Sequence, residues 1–220
     1  MTELTTPTRS RKQVMVIGVA GGSGSGKSWL ADRLVRGLGR SAVAISLDSF
    51  YRHRPYLSLA QRARVNYDHP RAIDWDEVMQ VAQNAREGRK ICVPDYDYSQ
   101  HMRAVGLDIL RPRKVLILEG LWTLRYRGLQ PLIDLGVFVE ASAKWRLERR
   151  LDRDVRERGR SRASVVRQFR DHVQPMHQQF VQPQSGRADV ILESPISEEV
   201  ISLLLQRVAK ISPTTPSRQR

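Results

Sequence analysis

The sequence predicts an α/β fold, a parallel sheet with helices on both faces, and three observations carry that prediction. Short, almost continuously apolar runs recur at residues 14–20, 42–47, 115–118, 137–139 and 190–192. Strands that are apolar at every position are buried on both faces, as parallel strands beneath covering helices are. Stretches with helical spacing alternate with those runs, the order that builds layered α/β domains. The third observation is the glycine-rich turn Gly21-Gly22-Ser23-Gly24-Ser25-Gly26-Lys27-Ser28, placed where the first strand ends and a helix begins.

The elements follow in order. The first strand feeds the turn, and a helix runs from residue 29 to about 37. After the second strand, residues 74–87 carry Trp75, Val78, Val81 and Ala82 on one helical face and stop at Gly88. Residues 90–93 and 102–105 read as a short hairpin about an aromatic turn, the whole element covering about 89–106. A third strand at 115–118 and a fourth at 137–139 lead into two long helical stretches, 144–156 and 164–182. A strand at 190–192 and an amphipathic helix over 198–210 complete the domain. No internal repeat is present.

Composition bounds the possibilities. A chain of 220 residues, 40% hydrophobic, buries one good core, so a single domain over 14–211 is expected. The tails 1–13 and 212–220 are rich in Thr, Ser and Pro, carry Arg9, Arg11, Lys12, Arg218 and Arg220, and are expected to be disordered. No apolar run approaches the roughly 18 residues needed to span a bilayer, and no leader-like apolar stretch opens the chain, so a cytoplasmic protein without a membrane partner is expected. The one cysteine, Cys92, excludes an internal disulfide and is expected as a small buried strand residue. The formal net charge is +14, much of it between Lys144 and Arg170, where Glu148, Asp152, Asp154, Glu157 and Asp171 are interleaved with the arginines. Interleaving of that kind reads as a structured helical lid, about 150–162, and not as a nucleic-acid-binding arm.

The strand–turn–helix context gives the glycine-rich turn its chemistry. Successive backbone N–H groups and a helix N-terminus make a cradle for polyphosphate, a P-loop. Lys27 reaches the β- and γ-phosphates, and the Ser28 hydroxyl is placed to ligate Mg²⁺. A nucleoside triphosphate is therefore the expected ligand, with Gly21, Gly22, Ser23, Gly24, Ser25, Gly26, Lys27 and Ser28 holding it. Trp29 belongs to that set by position, although its ring is expected to pack on the sheet, clear of the nucleotide. In such sheets ligands bind outside the carboxyl ends of the strands. Asp48 follows the second strand and Glu119 the third, both at the rim facing the P-loop. One can take a proton from an attacking hydroxyl and the other can hold Mg²⁺. A lone acid at a strand end is as readily a helix cap. Two beside a P-loop favour the chemical reading.

These residues reach a known family. The chain resembles the uridine kinases of the phosphoribulokinase/uridine kinase superfamily from about residue 14 to 192, and the resemblance implies a P-loop kinase fold. It rests on the P-loop, Asp48-Ser49-Phe50-Tyr51, Asn66-Tyr67-Asp68-His69-Pro70 and Pro94-Asp95-Tyr96-Asp97-Tyr98-Ser99-Gln100-His101. It rests further on Glu119-Gly120, Arg153-Asp154 with Glu157-Arg158-Gly159-Arg160, and Val173-Gln174-Pro175-Met176-His177. The resemblance implies phosphorylation of the 5′-hydroxyl of uridine and cytidine by ATP or GTP with Mg²⁺, in a homotetramer with no nucleic-acid partner. It implies Asp48 as general base and Asp68 as the ribose anchor, completed by Arg150 and Gln168. Tyr96, Tyr98 and His101 would hold the pyrimidine on the hairpin, which makes that element substrate-binding. Arg153, Arg158 and Arg160 would form a lid over the transferring phosphoryl, Arg160 also reaching the acceptor.

Three departures from the family pattern stand out: Trp29 where Thr is usual, Tyr98 where Phe is usual, and Glu193-Ser194-Pro195-Ile196-Ser197 in place of a Gly-rich, Asn-containing loop. Two other readings remain open at this point. One is a kinase of another small hydroxyl compound, such as ribulose 5-phosphate or pantothenate. The other is a nucleic-acid-associated P-loop ATPase drawing on the positive charge.

Overall fold

The computed structural model describes residues 14–211, so the two tails expected to be disordered lie outside the described residues. In chain order the elements begin with β1 (Met15–Gly21), α1 (Lys27–Leu38), β2 (Ala42–Ser46), α2 (Leu59–Arg62) and α3 (Trp75–Arg86). There follow β3 (Ile91–Asp97), β4 (Met102–Leu110), β5 (Val115–Gly120) and β6 (Leu135–Glu140). The remainder is α4 (Ala143–Arg156), α5 (Arg162–Gln168), α6 (Gln174–Met176), β7 (Val190–Glu193) and α7 (Glu198–Ile211).

Five strands form one sheet in the order β2-β5-β1-β6-β7, every pair parallel. The first strand in sequence is thus the middle strand in space, with Ile17 opposite both Ile117 and Leu135. Its two neighbours come from later in the chain, and a crevice opens at the carboxyl edge where strand order reverses. The P-loop leaves β1 at that crevice.

The unbroken apolar runs have a simple cause, because alternate residues feed two cores on opposite faces of the sheet. Val16 and Ala20 of β1 pack with Val78, Val81, Ala82 and Ala85 of α3. Met15, Ile17 and Val19 pack with Leu30, Ala31 and Leu34 of α1 and with Ile201, Leu204 and Val208 of α7. Full burial of such side chains contributes about 1.5–3 kcal/mol each before chain entropy is counted.

Two expectations about these elements need correction, and one is refined. Cys92 is exposed, not buried. It lies on β3, which pairs only with β4 in a separate antiparallel two-stranded sheet, so alternation turns Cys92 to the open face while Ile91 and Val93 are buried. The hairpin also continues beyond residue 106, because Asp108, Ile109 and Leu110 keep pairing with Val93, Cys92 and Ile91 across a register shift between Pro94 and Tyr96. The helical stretch expected over 164–182 is present, as a mixture of α- and π-helical turns. It runs from Arg162 to Arg187 through π-helical turns at Phe169–Val173 and His177–Val181. Each widened turn falls just before a proline, Pro175 or Pro183, whose ring would clash with a carbonyl one α-turn back.

Candidate active site

The P-loop is gripped from behind by α4. Gly24 has φ +82°, a conformation L side chains rarely adopt, and a Cβ there would run into the backbone carbonyl oxygen of Arg146. A Cβ on Gly22 would stand 2.8 Å from Arg146 Cδ and 2.9 Å from His177 Nδ1. Ser23 is buried, and its Oγ accepts from Arg150 Nη1 at 2.8 Å. Ser25 is buried with its hydroxyl unpartnered. In front of the loop opens a cleft of about 560 Å³, lined by Gly24, Gly26, Lys27 and Ser28 on one side and by Trp145, Arg149 and Arg153 of α4 on the other. Trp29 also lines it and is 39% exposed, so its ring does not pack on the sheet. The reason is helical phase: Leu30, Ala31 and Leu34 take the sheet-facing stripe of α1, which turns Trp29 outward, with the Arg33 guanidinium 5.8 Å from its ring.

The two strand-end acids stand where the sheet puts them. Glu119 is the penultimate residue of β5, between Val19 of β1 and Ser46 of β2, is buried, and leaves Oε2 without a partner. Burial pushes its carboxyl upward against the pull of Lys27, and Asp48 adds to the rise. The Ser28 and Ser46 hydroxyls lie beside it. Among the described residues no cluster of three acidic, His or Cys groups could enclose a metal. Mg²⁺ needs none, because it keeps several waters and takes one or two carboxylates plus substrate phosphates. An unpartnered carboxylate oxygen beside a serine hydroxyl at the mouth of a P-loop fits that ion. Asp48 sits in the short 3₁₀ turn Leu47–Phe50, its backbone N–H donating to Ser46 Oγ at 3.3 Å. Its charge is felt by Tyr51, Asp68, Tyr98 and Glu119, each of which it pushes upward. Asp48 therefore stands at the junction of the phosphate loop and the acceptor side.

A second cavity, of about 410 Å³, lies on that acceptor side and is lined by Tyr67, Asp68, Arg160, Ser164, Gln168 and His172 among others. Burial raises the Asp68 carboxyl, and Arg150 opposes that rise. Gln168 Oε1 accepts from Arg150 Nη2 at 2.8 Å and from Arg160 Nη1, so the two expected ribose-site partners of Asp68 form one network with the lid's Arg160. The hairpin tip packs against Tyr67, one of the residues of this lining. His101 has φ 48°, a left-handed backbone that His tolerates better than most residues, and its ring stacks on Tyr67 at 5.2 Å. Burial, with the charges of Arg62, Arg158 and Arg160, holds the His101 imidazole below its ordinary value, in the neutral form that can both donate and accept. Tyr96 is buried in a cluster with Tyr51, Tyr67 and Tyr98, and its hydroxyl interacts with that of Tyr67. Tyr98 is exposed, with Arg158 4.9 Å above its ring.

The lid arginines converge on one carboxylate. Asp154 is completely buried, and Arg150, Arg153, Arg158 and Arg160 approach it at 3.4, 2.9, 3.6 and 3.5 Å. Of the side chains expected at the site, Lys27, Ser28, Trp29 and Arg153 line the P-loop cleft and Asp68, Arg160 and Gln168 line the acceptor cavity, whereas Asp48, Glu119, Tyr96, Tyr98, His101, Arg150 and Arg158 line neither. Sequence reasoning gave no role to Tyr51, Tyr67, Arg146, Asp154 or His172. Tyr51, Tyr67 and Asp154 sit inside the motifs quoted above, and that position was the available signal. Arg146 and His172 had none, since a basic residue on a helix gives no hint of which way it points.

The comparisons with known proteins agree with this geometry. The profile of the phosphoribulokinase/uridine kinase family matches residues 16–200. A protein named uridine kinase from Staphylococcus epidermidis is 38% identical over 189 residues, covering 86% of this chain and 91% of that protein. Another so named, from Staphylococcus carnosus, is 39% identical over 186 residues, covering 84% and 89%. Among solved structures, D-glycerate 3-kinase from Cryptococcus neoformans superimposes with a TM-score of 0.63 at 18% identity, over 86% of this chain and 89% of that one. Phosphoribulokinase from Rhodobacter spheroides gives 0.59 at 19% identity, over 83% and 71%. At those identities the two structures speak for the fold alone. The motifs, the fold they build and the relatives together mean that this chain belongs to the phosphoribulokinase/uridine kinase family of P-loop kinases.

Proposed function

We propose that the protein is a uridine kinase, transferring the γ-phosphoryl group of ATP or GTP to the 5′-hydroxyl of uridine or cytidine. The observation that carries this reading is the presence of two cavities, with Asp48 near enough to Glu119 and to Asp68 for its charge to act on both. One opens from the P-loop, and the other holds a carboxylate beside Arg160 and Gln168, with the aromatic hairpin packed against its Tyr67. Asp68 accepts hydrogen bonds from the vicinal ribose hydroxyls. Tyr67, Tyr98 and His101 offer faces and polar atoms to a pyrimidine, and neutral His101 serves both uracil and cytosine edges. Asp48 takes the proton of the 5′-hydroxyl as O5′ bonds to Pγ and the bond from Pγ to the bridging oxygen breaks, releasing ADP or GDP. Lys27, Arg153 and Arg158 meet the charge that develops on the phosphoryl oxygens. Ser28 and Glu119 would hold Mg²⁺, which supplies neutralisation of the phosphate charge. The family's homotetramer carries over as part of the proposal, and sedimentation at micromolar protein checks it.

The test is a coupled assay across a nucleoside panel. Uridine and cytidine should be phosphorylated and 2′-deoxyuridine strongly disfavoured, because a site built to accept a diol leaves its acceptor unpaired without one. Equal kcat/KM for uridine and 2′-deoxyuridine would remove Asp68 from the ribose site. One feature favours a second reading: Arg64, Arg160 and Arg167 all line the acceptor cavity, a basic rim suited to a sugar phosphate. Ribulose 5-phosphate therefore belongs on the panel, and turnover of it ahead of uridine would select that reading.

A further inference from the structure

A buried cation without a counter-charge stands directly behind the phosphate loop. Arg146 is 1% exposed. Its Nε donates to Ala141 O at 3.3 Å and its Nη2 to Gln174 Oε1 at 2.6 Å, while Nη1 has no partner. Among the described residues no carboxylate pairs with it. Of the acids farther along its own helix, Asp152 pairs with Arg156 and Asp154 with the four lid arginines, while Glu148 lines the P-loop cleft. The Phe169 ring lies 5.4 Å from the guanidinium carbon. His177 stands alongside, also buried, with Nε2 bonded to Gln182 and Nδ1 unpartnered. Burial holds Arg146 down to about 10 and His177 down to about 4, so at neutral pH the first is charged and the second neutral. The unpartnered atoms of both meet the loop, since a Cβ on Gly22 would lie 2.9 Å from His177 Nδ1 and 3.0 Å from Arg146 Nη1.

A desolvated charge held only by neutral partners is costly to a fold, and hydrophobic replacements of buried ionic groups are often neutral or stabilising. Core packing alone would favour Met or Leu here. The position of the charge supplies its purpose, because a triphosphate seated in the loop brings the missing negative charge to the far side of one thickness of backbone. We propose that Arg146 is a positioning residue that pre-charges the P-loop for polyphosphate, its field unbalanced until the nucleotide arrives. His177 keeps that field from being quenched by filling the adjacent space with a neutral ring. The inference rests on the P-loop binding a nucleoside triphosphate but not on which acceptor is phosphorylated, so it survives if the nucleoside panel fails.

The test uses the full chain without nucleoside. Thermal melting of the unliganded protein and dissociation constants for ATP, ADP and inorganic tripolyphosphate are measured for the parent and for Arg146→Met, Arg146→Gln and Arg146→Lys. At the effective dielectric of about 20 that describes such sites, one charge across a backbone's thickness is worth roughly tenfold or more in Kd. Arg146→Met should melt no lower than the parent without ligand, yet bind ATP and tripolyphosphate about tenfold or more weakly, with a smaller loss for ADP. Arg146→Lys should recover most of the affinity. A lower melting temperature with unchanged ATP affinity would make Arg146 a structural residue and overturn the proposal, as would equal losses for ATP and ADP. If Arg146→Met does not fold, Arg146→Gln decides: it must lose more ATP than ADP affinity, and failing that the proposal falls.

Discussion

Replacing Asp154 by Asn removes the charge on which four guanidinium groups converge, and its cost can be worked from the contacts. The pair with Arg150 is buried on both sides, and breaking such a pair by deleting one partner costs about 3–5 kcal/mol. Arg153, Arg158 and Arg160 are each about a third exposed, so water screens those pairs to about 0.2–1 kcal/mol apiece. The terms share one acceptor and do not add fully. Asn keeps an oxygen for Arg153, whose Nε donates to Asp154 Oδ1 at 2.9 Å, which offsets part of the loss. A net destabilisation of about 3 kcal/mol follows, and at roughly 2–4 °C per kcal/mol for a chain of this size the melting temperature should fall by about 6–12 °C. Circular-dichroism melts in low salt at neutral pH measure it. Inorganic tripolyphosphate should narrow the gap, because the released arginines regain an anionic partner. A variant melting within about 2 °C of the parent would refute the reasoning, and would mean that the arginines are held by Gln168, Ser164 and Ser23 without Asp154.

Other predictions concern the chemistry. Asp48→Asn should lower kcat by about 10²–10⁴, the usual worth of a positioned general base, while ATP affinity measured by titration stays close to the parent's. Glu119→Gln should demand more Mg²⁺ for half-maximal rate, and it should also change the unliganded protein's pH profile. Because burial raises the Glu119 carboxyl, its contribution is complete below the ordinary carboxylate range and is lost as pH rises through the raised value. The Gln variant should therefore lose less stability than the parent between acidic and neutral pH, and parallel denaturation profiles would reject this. Trp29→Ala should weaken ATP by about fivefold or more, the low end for a base stacked on an aromatic ring, and leave tripolyphosphate binding alone. Equal effects on both would place the base elsewhere in the cleft.

The sequence by itself determined the sheet, its strands and the phosphate loop, because those features are local or periodic. The run from Val14 to Ala20 announced a strand buried on both faces, and the glycines after it announced a phosphate cradle whatever lay around them. The order of motifs also located Asp48, Asp68, Glu119 and the lid arginines along the chain. Tertiary structure decided everything that depends on which face of an element finds a neighbour. Cys92 is exposed because its hairpin has no second layer, and Trp29 lines the cleft because Leu30, Ala31 and Leu34 claim the sheet. The sharpest division falls among the arginines of α4, alike in sequence and different in space. Arg156 pairs with Asp152 in solvent, Arg150 and Arg153 turn to Asp154, and Arg146 lies behind the P-loop without an acid to meet it. Charge and spacing alone say nothing of that difference, since the energy of a charge is set by its solvent and its neighbours, and only the folded chain supplies both.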